Sequence, residues 1–387
     1  MTLGIRRRIA RTVCLMLERL LPDAQKPWAG AIEAETGLIE DDGEALAFAL
    51  ESLAGLLPWV LSHFLMAPFL ASTSHGAAIR PRAVGFGCAT AATWLGIVYM
   101  GVSGAPMRYL ISNLAALLLG GLALAAFGVT VSKTPRWQGM LNLAMGCGLL
   151  LTALFGYRMD GVARWIDLGH LLLQPSFIFL PVLIVSFARA SGGLSLAGVV
   201  IAATALALQP DRAMACVLAA GLAVRVATHA DRYAVLAFIA SLAAFIATLV
   251  QPDTLPATPY VEKVLFAAFN LHPLSGLAVL GGFALLIVPA ALGGRYDKAN
   301  GDIYLTFGAV WLTALIASVL GNYPTPVVGY GGSAILGYVL SLWLLPKAPS
   351  RNTGTQAKTQ RQLQNAPPPD RHLNSNDSRI AVVRAAP

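Results

Sequence analysis

The sequence predicts an all-α, polytopic membrane protein, and three observations carry that prediction. Of 387 residues, 56% are hydrophobic and 12% charged, with a mean hydropathy of +0.66, whereas an ordinary soluble domain carries about 25% charged residues. Apolar runs long enough for a hydrocarbon core of ~30 Å, roughly 20 residues each, recur along the chain. Charge is also concentrated at the two ends, with only 23 charged residues from Glu51 to Pro346.

The elements follow in chain order. Ile5, Ile9, Val13, Leu17 and Leu20 recur near helical period beside Arg6, Arg7, Arg8 and Arg11, the pattern of an amphipathic helix lying at a membrane surface. The long apolar core and small-residue cleavage site of a signal peptide are not read here. Glu33 to Glu44 is acidic and polar and is expected to form a small solvated element, so residues 1–50 make a cytoplasmic, interfacial region. Leu53 to Ser72 is apolar but contains Pro58, His63 and Pro68. It reads either as an extra spanning helix or, the favoured reading, as a bent segment at the inner surface, and with a basic linker it fills 51–82.

Ten further runs define a transmembrane domain over 83–346: Ala83 to Ser103, Tyr109 to Val131, Gln138 to Gly156, Leu171 to Ala188, Leu194 to Leu208, Asp211 to Thr228, Asp231 to Val250, Leu274 to Leu292, Ile303 to Gly321 and Val327 to Pro346. Cytoplasmic loops collect Lys and Arg. If the loop before Ala83 is cytoplasmic, that side holds nine basic residues (Arg80, Arg82, Lys133, Arg136, Arg189, Arg225, Arg232, Arg295, Lys298) and the other five (Arg108, Arg158, Arg164, Arg212, Lys263). The C-terminus is then cytoplasmic. The tail, 347–387, is basic and polar with the run Pro367-Pro368-Pro369, and is expected to be disordered for want of apolar surface.

Cys14, Cys88, Cys147 and Cys216 are far apart and make neither a disulfide framework nor a Cys-x-x-Cys metal pattern. His63, His170, His229 and His272 lie in different segments without metal-ligand spacing. Paired glycines such as Gly120-Gly121 and Gly281-Gly282 sit in apolar helices, where small residues allow close packing. The basic residues lie in short loops and a polar tail rather than on one face, so no nucleic-acid partner is expected.

Polar groups inside such helices are costly unless paired or facing water, which directs attention to three patterns. They are Arg164-Trp165-Ile166-Asp167-Leu168-Gly169 followed by Gln174-Pro175-Ser176, then Gln209-Pro210-Asp211, then Pro326-Val327-Val328-Gly329-Tyr330-Gly331-Gly332-Ser333. Each places Pro near a first helical turn, where its missing N–H costs nothing, with an oxygen side chain able to cap. Helix capping at the membrane surface accounts for each taken singly.

In order and spacing, however, the set resembles the SEDS family, the FtsW/RodA/SpoVE membrane proteins of bacterial cell-wall synthesis, over roughly Ala83 to Pro346. The resemblance implies a ten-helix SEDS-like core with an extra N-terminal hydrophobic segment, in the bacterial inner (cytoplasmic) membrane. It implies a divergent peptidoglycan glycosyltransferase that polymerises lipid II, or another undecaprenyl-linked precursor, in cell division or cell-shape maintenance beside a class B penicillin-binding transpeptidase. The alternative is a non-catalytic SEDS-like scaffold or regulator that binds such a protein or precursor. No cofactor is implied, and there is room for a divalent cation.

By that resemblance Glu262, in Tyr260-Val261-Glu262-Lys263-Val264-Leu265, stands at the family's catalytic Asp and is the expected base. Arg164, Lys263 and Arg212 are expected to contact phosphate, and Gln174, Gln209, Asp211, Tyr330 and Ser333 to line the substrate site. The chain also departs from the pattern. Phe177 and Leu180 stand where the family has Glu and Lys after Gln-Pro-Ser, Arg212-Ala213-Met214 follows Asp211, and Gly329 replaces the Ser before Tyr330. The loop Gln251 to Pro273 is shorter than the family's. The competing account of Glu262 is a favourable charge at a helix N-terminus.

Overall fold

A computed structural model describes residues 4–20, 26–53, 55–56, 81–130, 134–159, 161–169, 171–251 and 256–346. Most of the apolar segment Leu53 to Ser72 and the whole tail lie outside the described residues.

The N-terminal part consists of α1 (Ile5–Leu20), α2 (Lys26–Leu38) and α3 (residues 42–53). The amphipathic α1 is present, and two residues of its apolar stripe, Val13 and Leu17, are covered by protein. Ala10, Val13, Cys14 and Leu17 pack with Ala29 and Ile32 of α2 and Ala49 of α3. Arg7 ties the unit together, with Nη1 donating to the carbonyls of Thr36 at 3.2 Å and Ile39 at 2.6 Å. Its Nε pairs with Asp42 at 3.2 Å.

The remainder is a multi-pass helical bundle. Its helices are α4 (Pro81–Val102), α5 (Met107–Thr130), α6 (Pro135–Phe155), α7 (Pro175–Arg189), α8 (Gly193–Leu208), α9 (Arg212–Thr228), α10 (Arg232–Leu249), α11 (Val264–Leu271), α12 (Pro273–Tyr296), α13 (Gly301–Leu320) and α14 (Gly332–Leu342). Among the described residues six helices are long and apolar enough to cross a membrane, and α7, α8 and α14 are shorter apolar helices. Each of the ten expected runs holds a helix. α11 is additional, a short helix folded back on α12 at His272-Pro273, where His272 Nδ1 accepts the Leu274 N–H at 3.2 Å.

The all-α polytopic class holds, and two helix starts need correction. Between α6 and α7, β1 (Tyr157–Met159), β2 (Val162–Asp167) and β3 (Leu172–Leu173) form a small antiparallel sheet in the order β1-β2-β3. The fourth run therefore becomes helical only at Pro175 rather than Leu171, because Leu172 pairs with Asp167 and Leu173 with Ile166. The last run also starts late. Its helix begins at Gly332 rather than Val327, and Pro326 to Gly331 is irregular chain packed inside the bundle, with Val327 and Val328 fully buried. Gly96 of α4 permits this, since a Cβ there would collide with the Val328 carbonyl.

The loops sort to two ends. At one end Arg82 donates to the Leu345 carbonyl from Nε (2.9 Å) and Nη2 (2.6 Å), and Arg189 to that of Leu344 (2.7 Å). There too Arg225 pairs with Asp231 (2.7 Å) and His229 lies 3.6 Å from Asp302. The α6–α7, α8–α9, α10–α11 and α13–α14 connections gather at the other end. α7 and α14 finish together at the first end, as the Arg189 bond requires. Their 15 and 11 residues reach only about 22 and 16 Å at 1.5 Å per residue, so both start below the far surface, leaving a recess.

Candidate functional site

The recess is built on Asp211, 1% exposed at the start of α9. One carboxylate oxygen caps the helix, accepting the Met214 N–H at 3.2 Å. The other accepts from Ser176 Oγ at 3.0 Å and Gln174 Nε2 at 3.1 Å. Ser333 Oγ accepts the Gln174 backbone N–H at 2.9 Å, which joins the starts of α7, α9 and α14 into one buried polar network. Burying such groups demands partners, and here the network supplies them.

Arg164, 4% exposed on β2, reaches across to the α8–α9 turn. Its Nε donates to the Gln209 carbonyl at 3.0 Å and a terminal nitrogen to that of Pro210. Gln209 is itself buried, and its Nε2 donates to the Leu149 carbonyl at 3.3 Å.

A cap closes the recess. Residues 256–263 run beside 322–331, with a bridge between Glu262 and Pro324. The Thr325 N–H donates to the Val261 carbonyl and the Tyr330 N–H to that of Tyr260, both at 2.7 Å. Asn113, fully buried on α5, fastens the second segment by donating to the Gly329 carbonyl at 2.9 Å and accepting the Gly331 N–H at 3.1 Å. Tyr260 and Lys263, on either side of Glu262, have left-handed φ of 66° and 54°, a conformation that costs a non-glycine residue about 1–3 kcal/mol and persists only where surroundings impose it.

A small pocket results, lined among others by Arg164, Trp165, Gln174, Phe177, Asp211 and Glu262. It offers ≈ 20 Å³ to water centres, room for about one water molecule. Glu262 is half-buried, and burial pushes its carboxyl up to about 7, against the lowering effect of the Thr258 backbone N–H that it accepts. A carboxylate near neutrality on a recessed wall is suited to taking a proton.

Four of the nine expected site residues thus share one pocket: Glu262, Arg164, Gln174 and Asp211. Ser333 and Gln209 join through hydrogen bonds just described. Tyr330 does not line it; its ring stacks on Tyr109 at 3.7 Å. Lys263 is exposed. Arg212 points to the end of α10, donating to the Gln251 carbonyl at 3.0 Å and the Thr248 carbonyl at 3.4 Å. Sequence reasoning missed Ser176 and Asn113 as members. Ser176 stands inside the Gln-Pro-Ser motif, and Asn113 is a polar residue in an otherwise apolar run, a signal that was available.

Among the described residues no group of three or more His, Cys, Asp or Glu could hold a metal ion. Both Asp211 oxygens accept bonds from protein donors.

No protein-family model matches the sequence, and no curated protein matches it. Among solved structures the chain is similar to the rod shape determining protein RodA of Thermus thermophilus, at 19% identity over 66% of this chain and 92% of that one, TM-score 0.48. A point mutant of the same protein gives 22% identity, 66% and 93% coverage and a TM-score of 0.47. A chain described under structural coordination of polymerization and crosslinking by a peptidoglycan synthase complex gives 21%, 66%, 94% and 0.47.

Proposed function

We propose that this protein is a divergent peptidoglycan glycosyltransferase that polymerises lipid II, with Glu262 as the general base. The observation that carries the reading is the placement of Glu262, its carboxyl raised to about 7, on one pocket with Arg164, Gln174 and Asp211. In the reaction Glu262 takes the proton of the attacking sugar hydroxyl, whose oxygen bonds to the anomeric carbon of the donor as the lipid pyrophosphate leaves. Asp211, Ser176 and Gln174 hold the pocket wall, and Lys263 is available to the leaving phosphates at the surface. Entry of a sugar requires the cap of 256–263 and 322–331 to move, since the closed pocket holds about one water. A class B penicillin-binding transpeptidase is the partner, as the motif resemblance implies.

The second reading, a non-catalytic scaffold in the same membrane process, is favoured by Phe177 and Leu180. Both are buried apolar residues, 3% and 0% exposed, at positions where the motif has ionisable ones. Labelled lipid II incubated with purified protein separates the readings. Polymer should form and should fall by ~10² to 10⁴ in Glu262→Gln, the usual loss of a general base. Absence of polymer from the unmodified protein together with its transpeptidase would overturn catalysis in favour of the scaffold.

A further inference from the structure

The sheet beside the pocket exposes apolar side chains where a soluble surface would carry polar ones. Tyr157, Met159, Ile166, Leu168 and Leu172 are all exposed, Leu168 at 60%. Their neighbour Arg158 is exposed too. On β2 the chain passes within a few residues from the pocket wall, Arg164 and Trp165, to this outer patch, Ile166 and Leu168.

The patch, interrupted by the exposed carboxylate of Asp167, adjoins the exposed apolar surface of α6. α6 exposes Leu151, Leu154 and Phe155, the last at 80%, and β1 begins one residue after its C-cap Gly156. The 21 residues of α6 extend about 31 Å, the thickness of a ~30 Å hydrocarbon core, so Phe155 ends at its edge. A strand rising ~3.3 Å per residue then keeps Tyr157 to Met159 within about 13 Å of that edge, in reach of the headgroup layer. Tyrosine and arginine suit that layer, the first as an amphipathic ring and the second through lipid phosphates. The opposite flank of the pocket has the same character. α11 begins two residues after Glu262, exposes Phe266 and Leu271, and is followed by the exposed Leu274 and Leu277 of α12.

We propose that the β1–β3 sheet is seated in the headgroup layer of the leaflet at the pocket end, as a ledge that sets the pocket mouth at the depth of a lipid-linked phosphate. The occupant of the apolar patch is the bilayer itself. The role of the ledge in presenting a lipid-linked headgroup rests on the glycosyltransferase reading, whereas its membrane seating does not.

The test is a depth measurement on the full chain in proteoliposomes of zwitterionic and anionic phospholipid. The accessible cysteines Cys147 and Cys216 are replaced by Ala, and single spin labels are placed at Ile166→Cys, Leu168→Cys and Leu172→Cys. Leu151→Cys serves as a hydrocarbon reference and Lys298→Cys as an aqueous one. Labels on the sheet should show an oxygen-to-nickel-chelate collision ratio several-fold above Lys298→Cys and below Leu151→Cys. Ratios equal to the aqueous reference at all three positions would overturn the ledge. The measurement needs no turnover, so an inactive protein with seated labels retires the catalytic reading alone, and an active one with aqueous labels retires the ledge alone.

Discussion

Arg164 on β2 donates from Nε to the Gln209 carbonyl at 3.0 Å, clamping the strand after α6 to the turn between α8 and α9. The same guanidinium reaches the Pro210 carbonyl, so its fork holds two adjacent acceptors that lie past the end of α8. Lysine retains the charge but has no rigid fork. Arg164→Lys should therefore destabilise the protein by about 1.5–3 kcal/mol, the range for one hydrogen bond to a charged group, read as a lowered Tm in detergent. An unchanged Tm with weakened lipid II binding would transfer Arg164 from clamp to substrate contact.

Asp211 gives a graded prediction. It caps α9 and accepts from Ser176 and Gln174. Asp211→Ala loses the cap, about 0.5–2 kcal/mol, and also strands two buried donors at about 1–3 kcal/mol each. Asp211→Asn keeps the cap, since asparagine is as good an N-cap as aspartate. Thermal unfolding should rank the unmodified protein above Asn and Asn above Ala, and equal melting of the two variants would remove the cap from the account.

How far the sequence foretold this arrangement depends on the kind of signal. Long apolar runs have one solution in lipid, the helix, and each of the ten held one. Helix boundaries were legible where a capping aspartate stood, as at Asp211 and Asp231. They were not legible at Leu171 and Val327, where apolar side chains look alike in a strand, in buried irregular chain and in a helix. Arg164, Gln174 and Asp211, from the ordered motifs, and Glu262, placed by the resemblance, line one pocket. Tyr330 instead went to Tyr109, a pairing between sequence-distant residues that no local pattern encodes. The α1 stripe reads as facing a membrane surface, and its residues Val13 and Leu17 have apolar partners in α2 and α3.

Asn113 holds the start of α14 through both atoms of its amide. Asn113→Leu is nearly isosteric but leaves the Gly329 carbonyl and Gly331 N–H without that partner. Each buried unsatisfied group costs about 1–3 kcal/mol, so the cap should loosen before the bundle unfolds. Hydrogen exchange of residues 256–263 and 322–331 should accelerate while α7 and α9 stay protected. Uniform acceleration across the bundle would mean that Asn113 supports the core rather than the cap.

The basic residues of the loops predict which end is cytoplasmic. Ala257, in the cap, and Lys298, between α12 and α13, belong to opposite ends. In intact cells Ala257→Cys should react with a membrane-impermeant maleimide while Lys298→Cys reacts only after permeabilisation. The reverse pattern would invert the topology.

The last prediction concerns the ionisation of Glu262. Burial raises its carboxyl to about 7 from an ordinary 4.5, so the folded protein holds this proton over an interval in which the unfolded chain has released it. Stability from this group is therefore greatest at low pH and declines as pH rises from the unfolded value through about 7. Glu262→Gln removes the titration, so the Tm difference between variant and unmodified protein should move in the variant's favour from pH 5 to pH 8. A general base works in its deprotonated form, so the two quantities must run in opposite directions. Polymerisation by the unmodified protein, as kcat/KM for lipid II, should rise with pH through about 7 while the contribution of Glu262 to stability falls. A rate that stays flat between pH 5.5 and 8, in a protein whose Tm shows the Glu262 titration, would leave the carboxyl buried and raised but without a part in the proton transfer.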